Sequence, residues 1–272
     1  MNATKNILMK KMGTGIARLM PLCMVLVLLS ACTKDINLKL SSTASHIVIE
    51  GNIYNQPGPY YVRLSQSQSY YQSNVFPVVT GAQVIISDNA GNTDTLTEMV
   101  PGTYKTGSNI TGTVGRTYNL TVTAAGQTYK SSSTMPAPVP LDTAIILPPV
   151  FGNTTDNIIC AIQDPAITVN YYLLYAKQND SLSTAVTLND QYNNGGIQQV
   201  RIQTPENIKS GDSLTVYMQS IDEGVYNYFN SLNQSTTNSS TVSPANPISN
   251  ISNGALGYFC AGTLTTKFFV AP

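Results

Sequence analysis

A cysteine thiol is the strongest nucleophile this chain offers, and one of its four cysteines stands where sequence context would use it. Cys32 is preceded by Leu29, Ser30 and Ala31, which close an apolar run beginning at Leu19. Ahead of that run stand Lys5, Lys10, Lys11 and Arg18, with no acidic residue before Cys32. Positive charge keeps such a start on the cytoplasmic side while the apolar run enters the translocon. Small residues at Ser30 and Ala31 let a peptidase reach the bond before Cys32, so Leu29-Ser30-Ala31-Cys32 reads as a bacterial lipobox. The chemistry expected is cleavage, then acylation of the Cys32 thiol, with palmitate among the chains attached. Several chains anchor stably where one would bind only marginally. As a membrane-spanning helix the run is too short, at about half of the roughly 20 residues a span needs. A buried core helix would not sit between a basic start and polar sequence, and a simple cleaved signal has no need of a cysteine at this place.

The remaining reactive side chains are sparse. His46 is the only histidine, so a serine hydrolase would have to draw its base from the lip of the first predicted strand. Asp88 with Asp94, and Asp222 with Glu223, are the acidic pairs that could serve glycoside hydrolysis, but turn and helix-cap roles account for both. Asp88, Asn89, Asn92 and Asp94 could hold calcium, yet their spacing lacks the EF-hand order. Two cysteines and one histidine do not make a zinc site, and no glycine loop runs into Lys-Ser or Lys-Thr to cradle phosphate. No catalytic residue, metal or cofactor is therefore assigned, and the chain is read as a non-enzyme. Cys160 and Cys260 survive processing; a disulfide between them and two buried free thiols are equally compatible with an oxidising compartment.

Charge narrows the partners. The precursor has 14 basic and 14 acidic side chains, and loss of the four basic ones before Cys32 leaves 10 against 14. Nucleic acid is excluded, because phosphate binding needs concentrated Lys and Arg. Charged residues make up only 10% of the chain while tyrosine reaches 16, a composition that suits exported strands whose exposed faces carry uncharged polar groups. A tyrosine offers an apolar ring and a hydroxyl together, which makes the exposed-looking doublets Tyr60, Tyr61 and Tyr70, Tyr71 the candidate ligand contacts.

These residues have to be positioned by strands. Residues 1–31 form the signal and 32–44 a polar tether. Apolar–polar alternation then recurs at 46–54, 60–65, 82–87, 94–99, 118–123 and 127–130, with Gly, Asn and Pro turns between. Met135-Pro136-Ala137-Pro138-Val139-Pro140 resists both helix and central strand, so 135–141 is expected as a stiff extended linker. Beyond it, strands are expected at 157–162, 169–175, 185–188, 198–202, 213–221, 256–261 and 265–270. Val225, Tyr228, Phe229 and Leu232 fall on one helical face, capped by Asp222, and 233–245 is expected as a loop. The fold class is therefore mainly all-β: two tandem antiparallel β-sandwich domains, 45–134 and 142–272, the second with one helix near 222–234.

Several segments together resemble a known family. They are Val48-Ile49-Glu50-Gly51, Gly58-Pro59-Tyr60-Tyr61-Val62-Arg63-Leu64-Ser65, Val79-Thr80-Gly81-Ala82-Gln83-Val84, Gly102-Thr103-Tyr104 and the Pro-rich linker. Near the end stand Asn246-Pro247-Ile248-Ser249-Asn250-Ile251 and Gly254-Ala255-Leu256-Gly257-Tyr258-Phe259, the most specific part. The set resembles Bacteroidota lipoproteins catalogued as domain of unknown function 4249, over nearly the whole mature chain. The first half is also similar to the transthyretin-like sandwich of carboxypeptidase regulatory domains, an Ig-like arrangement. The resemblance implies an outer-membrane lipoprotein of the cell envelope, an accessory or binding protein partnering a TonB-dependent receptor in nutrient uptake. It carries over no catalytic residue. Thr33 stands where an acidic residue would mark inner-membrane retention, and Lys34-Asp35 is similar to part of the Bacteroidota surface-export signal, from which Ile36 departs; surface exposure is slightly favoured over a periplasmic face. The alternative is a surface adhesin or structural envelope lipoprotein. The glycines of 254–257 have two readings, tight backbone packing or close approach of a partner.

Overall fold

Along Ile47–Tyr54 the side chains of Ile49, Gly51 and Ile53 point to one face and those of Glu50, Asn52 and Tyr54 to the other, the two-residue period of a strand buried on one side. This is β1. The computed structural model describes residues 45–68, 75–147, 156–237 and 246–272. The lipobox residues Leu29, Ser30, Ala31 and Cys32, and Tyr70 and Tyr71, lie outside the described residues. After β1 come β2 (Tyr61–Gln66), β3 (Gln83–Asp88), β4 (Thr93–Thr95), β5 (Thr97–Val100), β6 (Thr103–Lys105), β7 (Thr117–Ala124) and β8 (Gln127–Thr134). The second half adds β9 (Thr143–Leu147), β10 (Asn157–Gln163), β11 (Tyr171–Gln178), β12 (Ser181–Leu182), β13 (Val186–Asn189), β14 (Ile197–Gln203) and β15 (Ser213–Ile221). The helix α1 (Glu223–Thr237) and the long strand β16 (Leu256–Val270) complete the chain.

The protein is mainly β, and the strands of the described residues form three sheets. The largest runs β12-β11-β15-β16-β1-β2-β6-β5, with β13 also paired to β11. Two smaller sheets, β4-β3-β7-β8 and β14-β10-β9, complete the layers. One face of the large sheet serves two cores. The first packs Ile49, Ile53, Val62, Leu64 and Phe259 against Val84, Ile86, Leu120 and Val122 of the β3–β7 sheet. The second packs Tyr172, Leu174, Val216 and Met218 against Ile158, Cys160, Ile162 and Ile202 of the β10–β14 sheet. Each such side chain, fully buried, contributes roughly 1.5–3 kcal/mol.

β16 belongs to both. Leu256–Gly262 pairs in parallel with β1, and Thr263–Val270 pairs antiparallel with β15. Sequence places this segment in the second half; in the fold Phe259 and Ala261 enter the first core. The two strands expected at 256–261 and 265–270 are thus one. Its parallel partner is reached only by a close approach: a Cβ on Gly257 would lie 2.0 Å from the Ile49 carbonyl oxygen, and its φ is +94°. Packing beside β1 therefore accounts for Gly257.

Three further differences have local causes. The expected strand 94–99 is split, because Leu96 turns into the first core and its N–H donates to the Val84 carbonyl at 2.8 Å, moving β4 and β5 into different sheets. The Pro-rich stretch forms neither helix nor strand and is packed, with Met135 in the first core and Val139 and Leu141 in the second. The helix continues through residues expected as loop, to Thr237. Ser231, Ser235 and Thr236 return their hydroxyls to carbonyls three or four residues back, so these polar groups find partners along the helix itself. Its start is as expected: Val225 N–H donates to Asp222 Oδ1 at 3.0 Å, and Thr134 N–H and the Ser133 hydroxyl bond the other Asp222 oxygen, tying the cap to β8.

Candidate functional site

The face of the large sheet turned away from both cores is covered in part by α1. Val225 packs with Leu173, Ile221 and Cys260, while Tyr228 and Phe229 stack beside Tyr258 at ring separations of 5.1 and 4.7 Å. Where this cover ends, a cleft of ≈ 280 Å³ opens on β1, β2 and β16. Its floor is set by register: Glu50 lies opposite Arg63 on one side and Tyr258 on the other, and Asn52 lies opposite Tyr61. Tyr54, Pro59 and Tyr60 complete the lining. Gly51, on the core side between Glu50 and Asn52, makes this possible; a Cβ there would meet Phe259 at 3.0 Å and Val62 at 3.2 Å.

Inside the cleft most polar groups are paired within the protein. Asn52 Nδ2 donates to the Tyr258 hydroxyl at 3.1 Å. Burial drives the Tyr54 and Tyr258 phenols well above their ordinary pKa, so both are neutral hydrogen-bonding groups at neutral pH. Glu50 and Arg63 differ. They face each other across the strand pair, both exposed, and no ion pair within 4.0 Å joins them. The site thus presents one acid, one guanidinium and several phenol rings on rigid strands. That arrangement can hold a small polar group flanked by an apolar surface. Its volume lies at the lower end of ligand sites and suits a side chain or small ring.

The candidate tyrosines separate. Tyr61 is 47% exposed at the cleft. Tyr60 is buried; its hydroxyl donates to the Gln56 carbonyl at 2.7 Å and accepts from Gly112 N–H at 2.8 Å, so its bonds hold the wall in place. Cys160 and Cys260 are free and buried in different clusters, so the structure has the two thiols of the second sequence reading. Burial pushes the Cys160 thiol up to about 11, and the Cys260 thiol up as well. His46 Nδ1 lies 3.2 Å from the Gly254 carbonyl at the start of β1, away from the cleft lining. Asp88 accepts from Ala90 N–H, Asn92 N–H and Asn92 Nδ2 and pairs with Arg116 at 2.9 Å. Burial opposes its charge, but these bonds and the guanidinium outweigh that and hold its carboxyl below the usual range. Among the described residues no three His, Cys, Asp or Glu side chains converge as a metal set, and no helix is long and apolar enough to cross a membrane.

One cluster escaped sequence reading. Asp164 and Asp190 are both buried. Tyr172 donates to Asp164 Oδ1 at 2.5 Å and Gly195 N–H to Asp164 Oδ2 at 3.0 Å. Asn170 N–H donates to Asp190 Oδ1 at 2.8 Å, leaving Asp190 Oδ2 buried without a partner of its own. Burial first, then the neighbouring Asp164 carboxylate, raises the Asp190 pKa. Asp164-Pro165 reads in sequence only as a strand stop, and nothing local links it to Asp190.

Comparison with known proteins places the chain. The model of the family described as Domain of unknown function (DUF4249) matches residues 33–267. The chain belongs to that family. No curated protein matches it. Among solved structures it is similar to a two fibronectin type-III domain segment from chicken tenascin, at 9% identity and a TM-score of 0.22, covering 66% of this chain and 92% of that one.

Proposed function

We propose that this member of the family is a lipid-anchored protein of the outer membrane that binds its target without transforming it, as an accessory to a TonB-dependent receptor. The observation that carries the reading is the cleft on β1, β2 and β16. Its unpaired Glu50 and Arg63, ringed by Tyr54, Tyr61 and Tyr258, leave recognition chemistry unsatisfied within the chain. Interfaces concentrate binding energy in Tyr and Arg seated at such places. A pocket of this size fits a loop side chain of a partner or a small solute handed to one. The lipobox ending at Cys32 supplies the anchor, Thr33 favours the outer membrane, and Lys34-Asp35 tips the balance toward the surface. The test is affinity purification of the native lipoprotein from solubilised membranes after mild cross-linking. A TonB-dependent receptor is expected in the eluate, in reduced yield from an Arg63→Glu strain. If no such receptor is recovered and the soluble protein instead binds matrix or host glycoprotein, the adhesin reading replaces this one.

A further inference from the structure

Five large apolar side chains stand in water at one end of the first sandwich: Val75 (74% exposed), Phe76 (57%), Val78 (53%), Met99 (54%) and Val100 (59%). Met99 and Val100 belong to β5, the outermost strand of the large sheet on that side. Val78 pairs with Ser65 beyond the end of β6 and lies against Gly102, where an added Cβ would come within 2.8 Å of the Val78 Cβ. Val75 and Phe76 lead directly into it. Single exposed apolar residues are ordinary, but neighbouring ones mark an interaction surface. The acid on β5 does not oppose an apolar partner: Glu98 turns both carboxylate oxygens onto backbone, accepting from Gly81 N–H at 3.0 Å and Gly102 N–H at 2.8 Å.

The same end receives the chain from Cys32. The Ser45 hydroxyl donates to the Ser67 carbonyl at 2.7 Å, and His46 N–H donates to Ser67 Oγ at 2.9 Å. The adjacent Gln66 N–H donates to the Pro77 carbonyl at 2.8 Å, so chain entry and the Val75–Val78 segment flank one end of β2. Only residues 33–44 separate Cys32 from Ser45. Twelve residues reach at most about 40 Å when fully extended. We infer that Val75, Phe76, Val78, Met99 and Val100 rest on the lipid surface that holds Cys32, seating the first sandwich on the membrane. Apolar side chains at the headgroup boundary add to an acyl anchor. This inference rests on the lipoprotein reading of Cys32.

The chain has no tryptophan, so a single indole reports its own surroundings. Mature protein beginning at Cys32 is coupled through that thiol to a maleimide lipid in phosphatidylethanolamine–phosphatidylglycerol vesicles; Cys160 and Cys260 are buried and do not compete. In Phe76→Trp and in Met99→Trp the emission is expected to shift to the blue and to be quenched by lipids brominated near the headgroup. In Tyr192→Trp, where the native residue is 93% exposed in the second sandwich, it is expected to stay water-like and unquenched. Water-like emission from both position 76 and position 99 overturns the inference, as does equal quenching at position 192. Chemical coupling does not depend on native acylation. The lipoprotein reading is judged separately, by the mass of the Cys32 peptide from native membranes.

Discussion

The two sandwiches share one face of one sheet, yet they settle their buried acids in opposite ways. In the first, Asp88 is charged and answered by Arg116 and the Asn92 amide. In the second, burial and the neighbouring Asp164 raise the pKa of Asp190. A carboxyl whose pKa is lowered on folding contributes stability above its unfolded value and loses it as pH falls through the folded one. Asp88 therefore weakens the first sandwich in acid. A carboxyl whose pKa is raised contributes below its unfolded value and loses that contribution as pH rises through the folded one. The contribution of Asp190 to the second sandwich is therefore lost as pH rises. The second also carries Asp212, held down to about 2 chiefly by Asn179, Lys209 and Gln178, whose contribution disappears in strong acid. The lesson is that one sheet can carry two cores with different pH windows, because burial acts locally.

The largest effect expected is at the shared strand. Phe259→Ala removes a fully buried ring from the first core, at a cost of about 3–5 kcal/mol. Denaturant unfolding followed by hydrogen exchange tells whether both cores then open together; protection that survives only on β10 and β14 would show that they are separable. Asp164→Ala comes next, because it strips the Tyr172 hydroxyl and Gly195 N–H of their partner, costing on the order of 3 kcal/mol. Asp190→Asn is expected to be far milder and to flatten the loss of stability with rising pH, read from melting temperatures across a pH series. If Asp190→Asn leaves that slope unchanged, the raised pKa of Asp190 is wrong. Arg116→Ala is expected to cost about 1.5–3 kcal/mol near neutral pH and less in acid, since it removes a charged bond to Asp88. Smallest is Tyr61→Ala, within about 0.5 kcal/mol in stability because the ring is half in solvent.

Much of this fold was readable from alternation alone. β1, β2, β3, β7 and β10 carry one buried face each, and a period of two announces that directly. The helix was readable from Val225, Tyr228, Phe229 and Leu232 and from its Asp222 cap, but its last turn was hidden by serines and threonines that bond back to their own helix. β16 was read as two strands because Gly262-Thr263-Leu264 interrupts the apolar run, at the point where its partner changes from β1 to β15. The cleft was half legible. Tyr61 is legible from its ring and hydroxyl, and Glu50 meets Arg63 across the neighbouring strands β1 and β2, whereas Tyr258 joins them only through the parallel pairing of β1 with β16, from the far end of the chain. Tyr60 and Tyr61 look equivalent in sequence, but Tyr60 lies just before β2 and is buried with its hydroxyl bonded to Gln56 and Gly112, while Tyr61 opens to solvent. The Asp164–Asp190 pair had no local signal, since the two acids come from different connecting segments.

Site-specific photo-cross-linking in intact cells tests the central claim most directly. A benzophenone amino acid is placed at Tyr61, beside the cleft, and in a second strain at Tyr192, exposed in the second sandwich. The account predicts a cross-link from position 61 to a TonB-dependent receptor and none from position 192. No receptor adduct at position 61, or adducts of equal yield from both positions, would contradict it.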